Sequence, residues 1–171
     1  MQTTILEMTD RVLNGGEITA AEGLTILTAQ GCEYTQFMAG AHRIKEKFLG
    51  NKIDLCSIIN AKSGRCAENC SFCAQSSHHQ TDTPIYDLKS CDEMVQGAVQ
   101  AEKEGNHCYG IVTSGTGVIA GDEFNRIIEA IGRIGRETAI EPSASLGLLD
   151  ETAATALAKA GCVTYHHNLE T

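Results

Sequence analysis

Apolar residues recur along the chain in two rhythms. Over residues 1 to 49 the spacing is helical. Thr19, with Glu22 three positions later, makes a capping box ahead of Leu24, Ile26 and Leu27, and Phe37, Ile44 and Phe48 mark a second amphipathic segment punctuated by Gly31 and Gly40. From Ile53 the rhythm changes. Short apolar runs at 54–60, 107–113, 138–145 and 162–168 alternate with helix-spaced stretches at 91–105, 122–135 and 150–160, the last three carried by Met94, Ala98 and Ala101, by Phe124, Ile127, Ile128 and Ile131, and by Ala154, Leu157 and Ala158. Runs of that length predict strands, and their regular alternation predicts a βαβαβαβ series with parallel strands covered by helices. Gly105, Gly135 and Gly161 stand where helix C-caps belong. The pattern divides the chain into a helical segment, 1–52, and an α/β segment, 53–171.

Composition narrows the function classes. The 171 residues are 42% hydrophobic and 20% charged, enough to bury a core, and 13 Lys and Arg against 22 Asp and Glu leave a formal charge of -9. That balance argues against the phosphate-neutralising surface a nucleic-acid partner needs. No apolar run approaches the roughly 20 residues of a membrane span, and Glu7, Asp10, Arg11 and Glu17 interrupt the stretch a signal peptide would need, so a soluble, cytoplasmic chain without a membrane partner is expected. In a reducing compartment eight cysteines point to metal or redox chemistry rather than to disulfides.

Three of the eight are clustered. Cys66-Ala67-Glu68-Asn69-Cys70-Ser71-Phe72-Cys73 follows the first predicted strand, and a loop that wraps can bring its three thiols to one centre. Three thiolates leave one iron of a [4Fe–4S] cluster open for a small molecule. The same residues also allow a zinc site completed by His78 or His79, or a set of idle reduced thiols. The far end of the chain, Tyr165-His166-His167-Asn168-Leu169-Glu170-Thr171, is dense in polar groups at a strand terminus, where parallel α/β folds place their sites. The chain stops there without a covering helix, which predicts that the record is cut short.

The CxxxCxxC spacing, with aromatic Phe72 before the last cysteine, is similar to the signature of radical S-adenosylmethionine enzymes. The flanking strings Asn60-Ala61-Lys62-Ser63-Gly64-Arg65, Cys73-Ala74-Gln75-Ser76 and Tyr165 to Thr171 resemble those of the biotin synthase family within it. The resemblance runs from about residue 50 to the end and corresponds to about the first half of such an enzyme. It implies the N-terminal helices and first four βα units of a (β/α)8 TIM-type barrel. It also implies a [4Fe–4S] cluster on Cys66, Cys70 and Cys73, with S-adenosylmethionine chelating the fourth iron and yielding a 5′-deoxyadenosyl radical. Around that cofactor it places Phe72 near the adenine, Thr113, Ser114 and Gly115 near the amino group, and Asn168 and Glu170 toward the ribose or the substrate, although family members usually carry Asp where Glu170 stands. The implied reaction is hydrogen abstraction from dethiobiotin and sulfur insertion, with a low-potential electron donor such as flavodoxin or ferredoxin, in a homodimeric enzyme. The 171 residues alone are expected to be inactive.

The sequence departs from the family at the auxiliary [2Fe–2S] cluster that supplies sulfur in many biotin synthases. Two of its thiolate positions fall on Gly110 and Ser143. Cys108, two residues before Gly110, shares its strand face and is the candidate displaced ligand. Cys32, Cys56, Cys91 and Cys162 read individually as buried small hydrophobes or helix residues. His78 and His79 read as a solvated loop; His166, by parity with Asn168, lines the site while His167 packs outward against a helix. No Ser-His-Asp order, P-loop or dinucleotide loop is present. Two other readings remain open: another radical S-adenosylmethionine enzyme on this barrel, of the hydrogenase-maturation or methylornithine-forming kind, and a zinc-binding module without catalysis.

Overall fold

The computed structural model describes residues 4–118 and 120–168. The chain divides into two compact units, Met1–Ile53 and Asp54–Thr171. The first holds α1 (Ile5–Leu13), α2 (Ala20–Thr28) and α3 (Gly31–Leu49). Capping boxes start two of them: the hydroxyls of Thr4 and Thr19 accept from the backbone of Glu7 and Glu22, whose carboxylates accept in return from the Thr4 and Thr19 amides. The Thr19 box is the one expected. Gly40, by contrast, does not interrupt α3. It is buried where α1 crosses, and a Cβ there would stand 2.5 Å from Thr9 Oγ1, so its small size serves close helix packing.

The second unit is the α/β series: β1 (Cys56–Lys62), α4 (Cys91–Lys103), β2 (Cys108–Thr113), α5 (Asp122–Glu137), β3 (Glu141–Ser145), α6 (Glu151–Ala160) and β4 (Thr164–Tyr165). The strands are parallel and lie in chain order, β1-β2-β3-β4. Each connection is a helix, because parallel neighbours need a crossover and cannot be joined by a hairpin. One face of the sheet supplies Ala61, Tyr109, Ile111, Ala144 and Leu146 to a core completed by Met94, Val95 and Ala98 of α4, Phe124, Ile127, Ile131 and Ile134 of α5, and Leu157 of α6. Met94, Ile111, Ile131 and Ile134 are fully buried, each burial being worth about 1.5–3 kcal/mol. The alternate residues point the other way, away from α4, α5 and α6, and Ile58 is 68% exposed.

Several element ends differ from the periodicity. β1 starts and ends two residues later than expected, β3 starts at Glu141 rather than 138, and β4 spans Thr164–Tyr165 within the expected 162–168. Gly135 lies inside α5, which runs on to Glu137 and is closed by Thr138, whereas Gly161 is a left-handed cap at φ +99°. No helix among the described residues is long and apolar enough to cross a membrane.

Candidate metal and cofactor site

The cysteine loop is built on the end of β1 and closed by residues that follow its third cysteine. Ser63 exchanges backbone hydrogen bonds with Tyr86 at 3.1 and 3.2 Å, and the chain then turns through Gly64 (φ +78°) and Arg65 (φ +52°). A Cβ at Gly64 would stand 2.7 Å from Ile85 Cγ1. Gln75 is the first clasp: its side-chain oxygen accepts from the Gly64 amide at 3.1 Å and its carbonyl accepts from the Cys66 amide at 3.1 Å. Ser76 is the second. It is 4% exposed, and its hydroxyl donates to the Glu68 carbonyl at 2.5 Å while accepting from the His78 amide at 3.2 Å. The two histidines then pin the loop from outside, His78 Nε2 lying 3.0 Å from the Ala67 carbonyl and His79 Nε2 3.0 Å from that of Cys70.

Cys66, Cys70 and Cys73 are half-buried on this loop, and none is in a disulfide. Among the described residues no three His, Cys, Asp or Glu side chains are gathered closely enough to hold a metal ion as they stand. A centre bound here must draw the thiols inward on a loop whose backbone is already fixed. His78 and His79 lie in a largely exposed loop, His78 itself exposed, and their Nε2 atoms are engaged with carbonyls of the cysteine loop instead of joining the thiols. Phe72 is 71% exposed, so it is not an anchor in the core.

At the same ends of the strands, Ser114 continues from β2. Its hydroxyl donates to the Gly64 carbonyl at 2.8 Å and its amide to that of Lys62 at 3.0 Å, so it braces the cysteine loop. Thr113 and Ser114 border a small cleft with Lys62 and Glu123, whose ion pair is 2.6 Å long. Gly115 has φ +133°, a conformation reserved for glycine. The loops after β2 and β3 are zipped together by Val118 to Leu148 and Leu148 to Thr116 hydrogen bonds of 3.0 and 2.9 Å. Tyr165 ties β4 to the second of them, its hydroxyl donating to the Gly147 carbonyl at 2.5 Å and accepting from the Leu146 amide at 3.1 Å. Asn168, His166 and His167 are exposed, so no helix covers His167; Glu170 lies outside the described residues. On β1, Asn60 Oδ1 is a buried acceptor without a hydrogen-bond partner among the described residues. An apolar groove of about 550 Å³ between Ile5, Met8, Val12, Ile26, Phe37 and Ile44 belongs to the helical unit and carries none of this chemistry.

The family model described as Radical SAM superfamily matches residues 61–171, from the end of β1 through the cysteine loop and every later βα unit. The chain belongs to the radical SAM superfamily. Along all 171 residues it is 55% identical to a biotin synthase of Geotalea uraniireducens (strain Rf4) and 53% identical to the biotin synthase of Pelobacter propionicus (strain DSM 2379 / NBRC 103807 / OttBd1) over 171 residues, covering 52% of each relative. The chain thus spans about half the length of the curated relatives it matches. Among solved structures, HydG, a maturase of the [FeFe]-hydrogenase, superposes with a TM-score of 0.74 at 18% identity over 95% of this chain and 36% of that one. At that identity the likeness bears on the fold, and it agrees with part of a TIM-type barrel.

The strand ends opposite the radical SAM loop carry two further thiols, Cys56 at the start of β1 and Cys108 at the start of β2. Gly110 and Ser143 are register partners on β2 and β3, so the two positions where the resemblance expects auxiliary thiolates are side by side and both lack sulfur. Cys108 lies two residues before Gly110 on the same face, half-buried, with Sγ 3.4 Å from Ser143 Oγ. Cys91 and Cys162 are half-buried against the core, as expected, and burial pushes both thiols up in pKa. Cys32 and Cys56 are not buried. Cys32 is exposed in α3, and Cys56 is exposed at the start of β1, on the face turned away from α4, α5 and α6. The alternation that puts Ile59 and Ala61 into the core puts Cys56, Ile58 and Asn60 opposite, and it was the available signal for this.

Proposed function

We propose that this chain is the cofactor-binding half of a biotin synthase, in which a [4Fe–4S] cluster on Cys66, Cys70 and Cys73 presents S-adenosylmethionine to dethiobiotin. The observation that carries the reading is the braced three-cysteine loop at the end of β1, inside a radical SAM match and within a full-chain identity of 55% to a biotin synthase. The donor set fits the cluster better than zinc. Three soft thiols stand on one loop, while the histidines that would complete a tetrahedral zinc site are held by the Ala67 and Cys70 carbonyls. When bound, the cluster supplies the electron that cleaves the sulfonium to a 5′-deoxyadenosyl radical. The protein's share is orientation and exclusion of water.

In this reading Gln75, Ser76, His78 and His79 fix the backbone that presents the thiols. Phe72, exposed beside Cys73, is free to cover the adenine. Thr113, Ser114 and Gly115 border the cofactor, Ser114 through its backbone because its hydroxyl is engaged with Gly64. Asn168 and Glu170 face the ribose or the substrate, and Cys108 belongs to an auxiliary centre. A low-potential donor such as flavodoxin or ferredoxin supplies electrons to a cytoplasmic, homodimeric enzyme. The 171 residues alone are proposed to be inactive in forming biotin, since a radical open to solvent is quenched.

The test is anaerobic reconstitution of the chain with iron and sulfide. A brown chromophore with about four irons per chain is expected, lost when any of Cys66, Cys70 or Cys73 is changed to Ala. A colourless protein that purifies with zinc, or a cluster retained in all three variants, would overturn the assignment. If the protein at its relatives' full length cleaves S-adenosylmethionine but forms no biotin, the superfamily stands and the substrate does not.

A further inference from the structure

The clasps of the cysteine loop each meet an amide or a carbonyl, whereas one acceptor just below them meets nothing. Asn60 lies two residues before the end of β1, and its Oδ1 is buried without a hydrogen-bond partner among the described residues. A buried acceptor left unmade loses its hydration with nothing in return, so one that persists calls for a partner from outside those residues. Its surroundings say what kind. Asn60 pairs in register with Val112 on β2, and Val112 pairs with Ser145 on β3. Register partners on parallel strands project from the same face about 4.8 Å apart, so a carboxamide, an isopropyl group and a hydroxyl stand in one row about 10 Å long. The row is the last regular one on β1, whose register shifts between Asn60 and Lys62 before the chain turns into the cysteine loop. Asn60 is also held in place. The Tyr86 hydroxyl donates to its carbonyl at 2.8 Å, and Tyr86 is itself bonded to Ser63 through both backbone groups, so the side chain leaves from a pinned backbone.

The chemistry of the row selects among donors. Asn60, Val112 and Ser145 carry no charge, so nothing in the row offsets the desolvation of an ammonium, and an unpaired carbonyl oxygen repels a carboxylate. A neutral N–H on a compact ring satisfies the acceptor and packs on the isopropyl group beside it. The ureido ring of dethiobiotin is such a group. We propose that Asn60 is a specificity residue for the substrate, its Oδ1 accepting a ureido N–H of dethiobiotin while the ring packs over Val112. The assignment rests on the functional reading above and deepens it, because it gives the substrate a contact on β1, outside both the cysteine loop and the polar run that follows β4.

The experiment is equilibrium dialysis of dethiobiotin against the protein at its relatives' full length, reconstituted anaerobically and supplied with S-adenosylmethionine but no reductant, so that binding is read without turnover. Asn60→Leu removes the acceptor at similar volume and should weaken dethiobiotin about tenfold, the net worth of one hydrogen bond. Asn60→Asp keeps the acceptor. Two cyclic carbamates of dethiobiotin, each with one ring N–H replaced by oxygen, identify the donor. One of them should bind the wild type and Asn60→Asp about tenfold more weakly than dethiobiotin does, whereas Asn60→Leu should bind that carbamate and dethiobiotin alike. In turnover, Asn60→Leu should raise KM for dethiobiotin with kcat held. Should Asn60→Leu fail to keep its cluster, Asn60→Ala removes the acceptor without adding bulk and is put to the same comparison. A wild type indifferent to both carbamates would overturn the proposal, as would an Asn60→Leu protein that binds dethiobiotin normally and only gains stability in urea. Loss of S-adenosylmethionine affinity in that variant, with dethiobiotin bound as in the wild type, would give the acceptor to the cofactor and overturn it too. A wild type that cleaves S-adenosylmethionine on reduction but does not bind dethiobiotin sinks the functional reading together with this assignment, whereas one that binds it without regard to Asn60 sinks the assignment alone.

Discussion

Ser76→Ala separates the bracing of the cysteine loop from the thiols themselves. The hydroxyl is buried and makes two hydrogen bonds, to the Glu68 carbonyl at 2.5 Å and from the His78 amide at 3.2 Å, so it spans the segment that holds Cys70 and Cys73. Alanine keeps the volume and removes both bonds. At about 1 kcal/mol net per hydrogen bond the loop loses about 2 kcal/mol, which is roughly thirtyfold in its local opening equilibrium. The assay is amide exchange of the reduced, metal-free chain. The amides of Cys66 and Ser77, which bond to Gln75 and Cys66 carbonyls at 3.1 and 2.8 Å, should exchange roughly thirtyfold faster. That of Ile111, fully buried in the core, should not change. The reconstituted cluster of the variant should also lose iron faster to a chelator. Unaltered exchange at Cys66 and Ser77, or equal acceleration at Ile111, would refute the claim that Ser76 clasps this loop independently of the core.

Three further outcomes follow from the packing. Gly147→Ala places a Cβ 2.5 Å from the Thr116 carbonyl oxygen on a residue at φ +80°, and should lower the urea stability of the α/β unit by about 2 kcal/mol or more, from left-handed strain of about 1–2 kcal/mol plus the clash. Burial pushes the Tyr109 phenol up to about 12, so its contribution of about 2–3 kcal/mol is fully present below pH 10 and is lost as pH rises through 12; Tyr109→Phe should flatten that alkaline limb of a stability-against-pH series. Ile111→Ala should cost about 2–5 kcal/mol in urea unfolding, and Ile58→Ala less than about 0.5 kcal/mol, because the first is fully buried and the second is 68% exposed on the adjacent strand. Equal losses at the two isoleucines would mean that the face of Ile58 is covered in solution.

The order and type of the elements were legible because each βα unit repeats a local signal: an apolar run, then helical spacing with a cap. The Ser90 and Glu93 box that starts α4 and the left-handed Gly161 that ends α6 are signals of this kind. Where the reading slipped, a residue's role depended on a neighbour distant in sequence. Gly40 looks like a helix breaker until Thr9 is found against it, and Gly135 looks like a cap until α5 is seen to continue through it. The fourth strand shows the reverse. A strand is expected over 162–168, but its ladder to β3 contains two pairs, Ser143 with Thr164 and Ala144 with Tyr165, before the polar run His166-His167-Asn168.

The candidate site divides along the same line. The cysteine spacing lies within eight residues and could be read directly, whereas the clasps that make it a loop could not. Gln75, Ser76, His78 and His79 are polar residues in a polar stretch, and only the folded backbone shows that each meets an amide or carbonyl of the segment 64–78. The pairing of Cys56 with Cys108 is harder still, since it depends on the register of two strands whose partners are 52 positions apart in the chain. Parity alone carries part of the way. Ile59 and Ala61 are drawn to the helices by burial, which sends Cys56, Ile58 and Asn60 to the other face, just as Ile111 sends Cys108 and Gly110 there. The sheet therefore sorts its side chains by chemistry, apolar residues toward α4, α5 and α6. The apolar residues build the core, and Cys56, Cys108, the carboxamide of Asn60 and the hydroxyl of Ser143 are left together on the other face, where Ser143 and Asn60 Oδ1 are nonetheless buried.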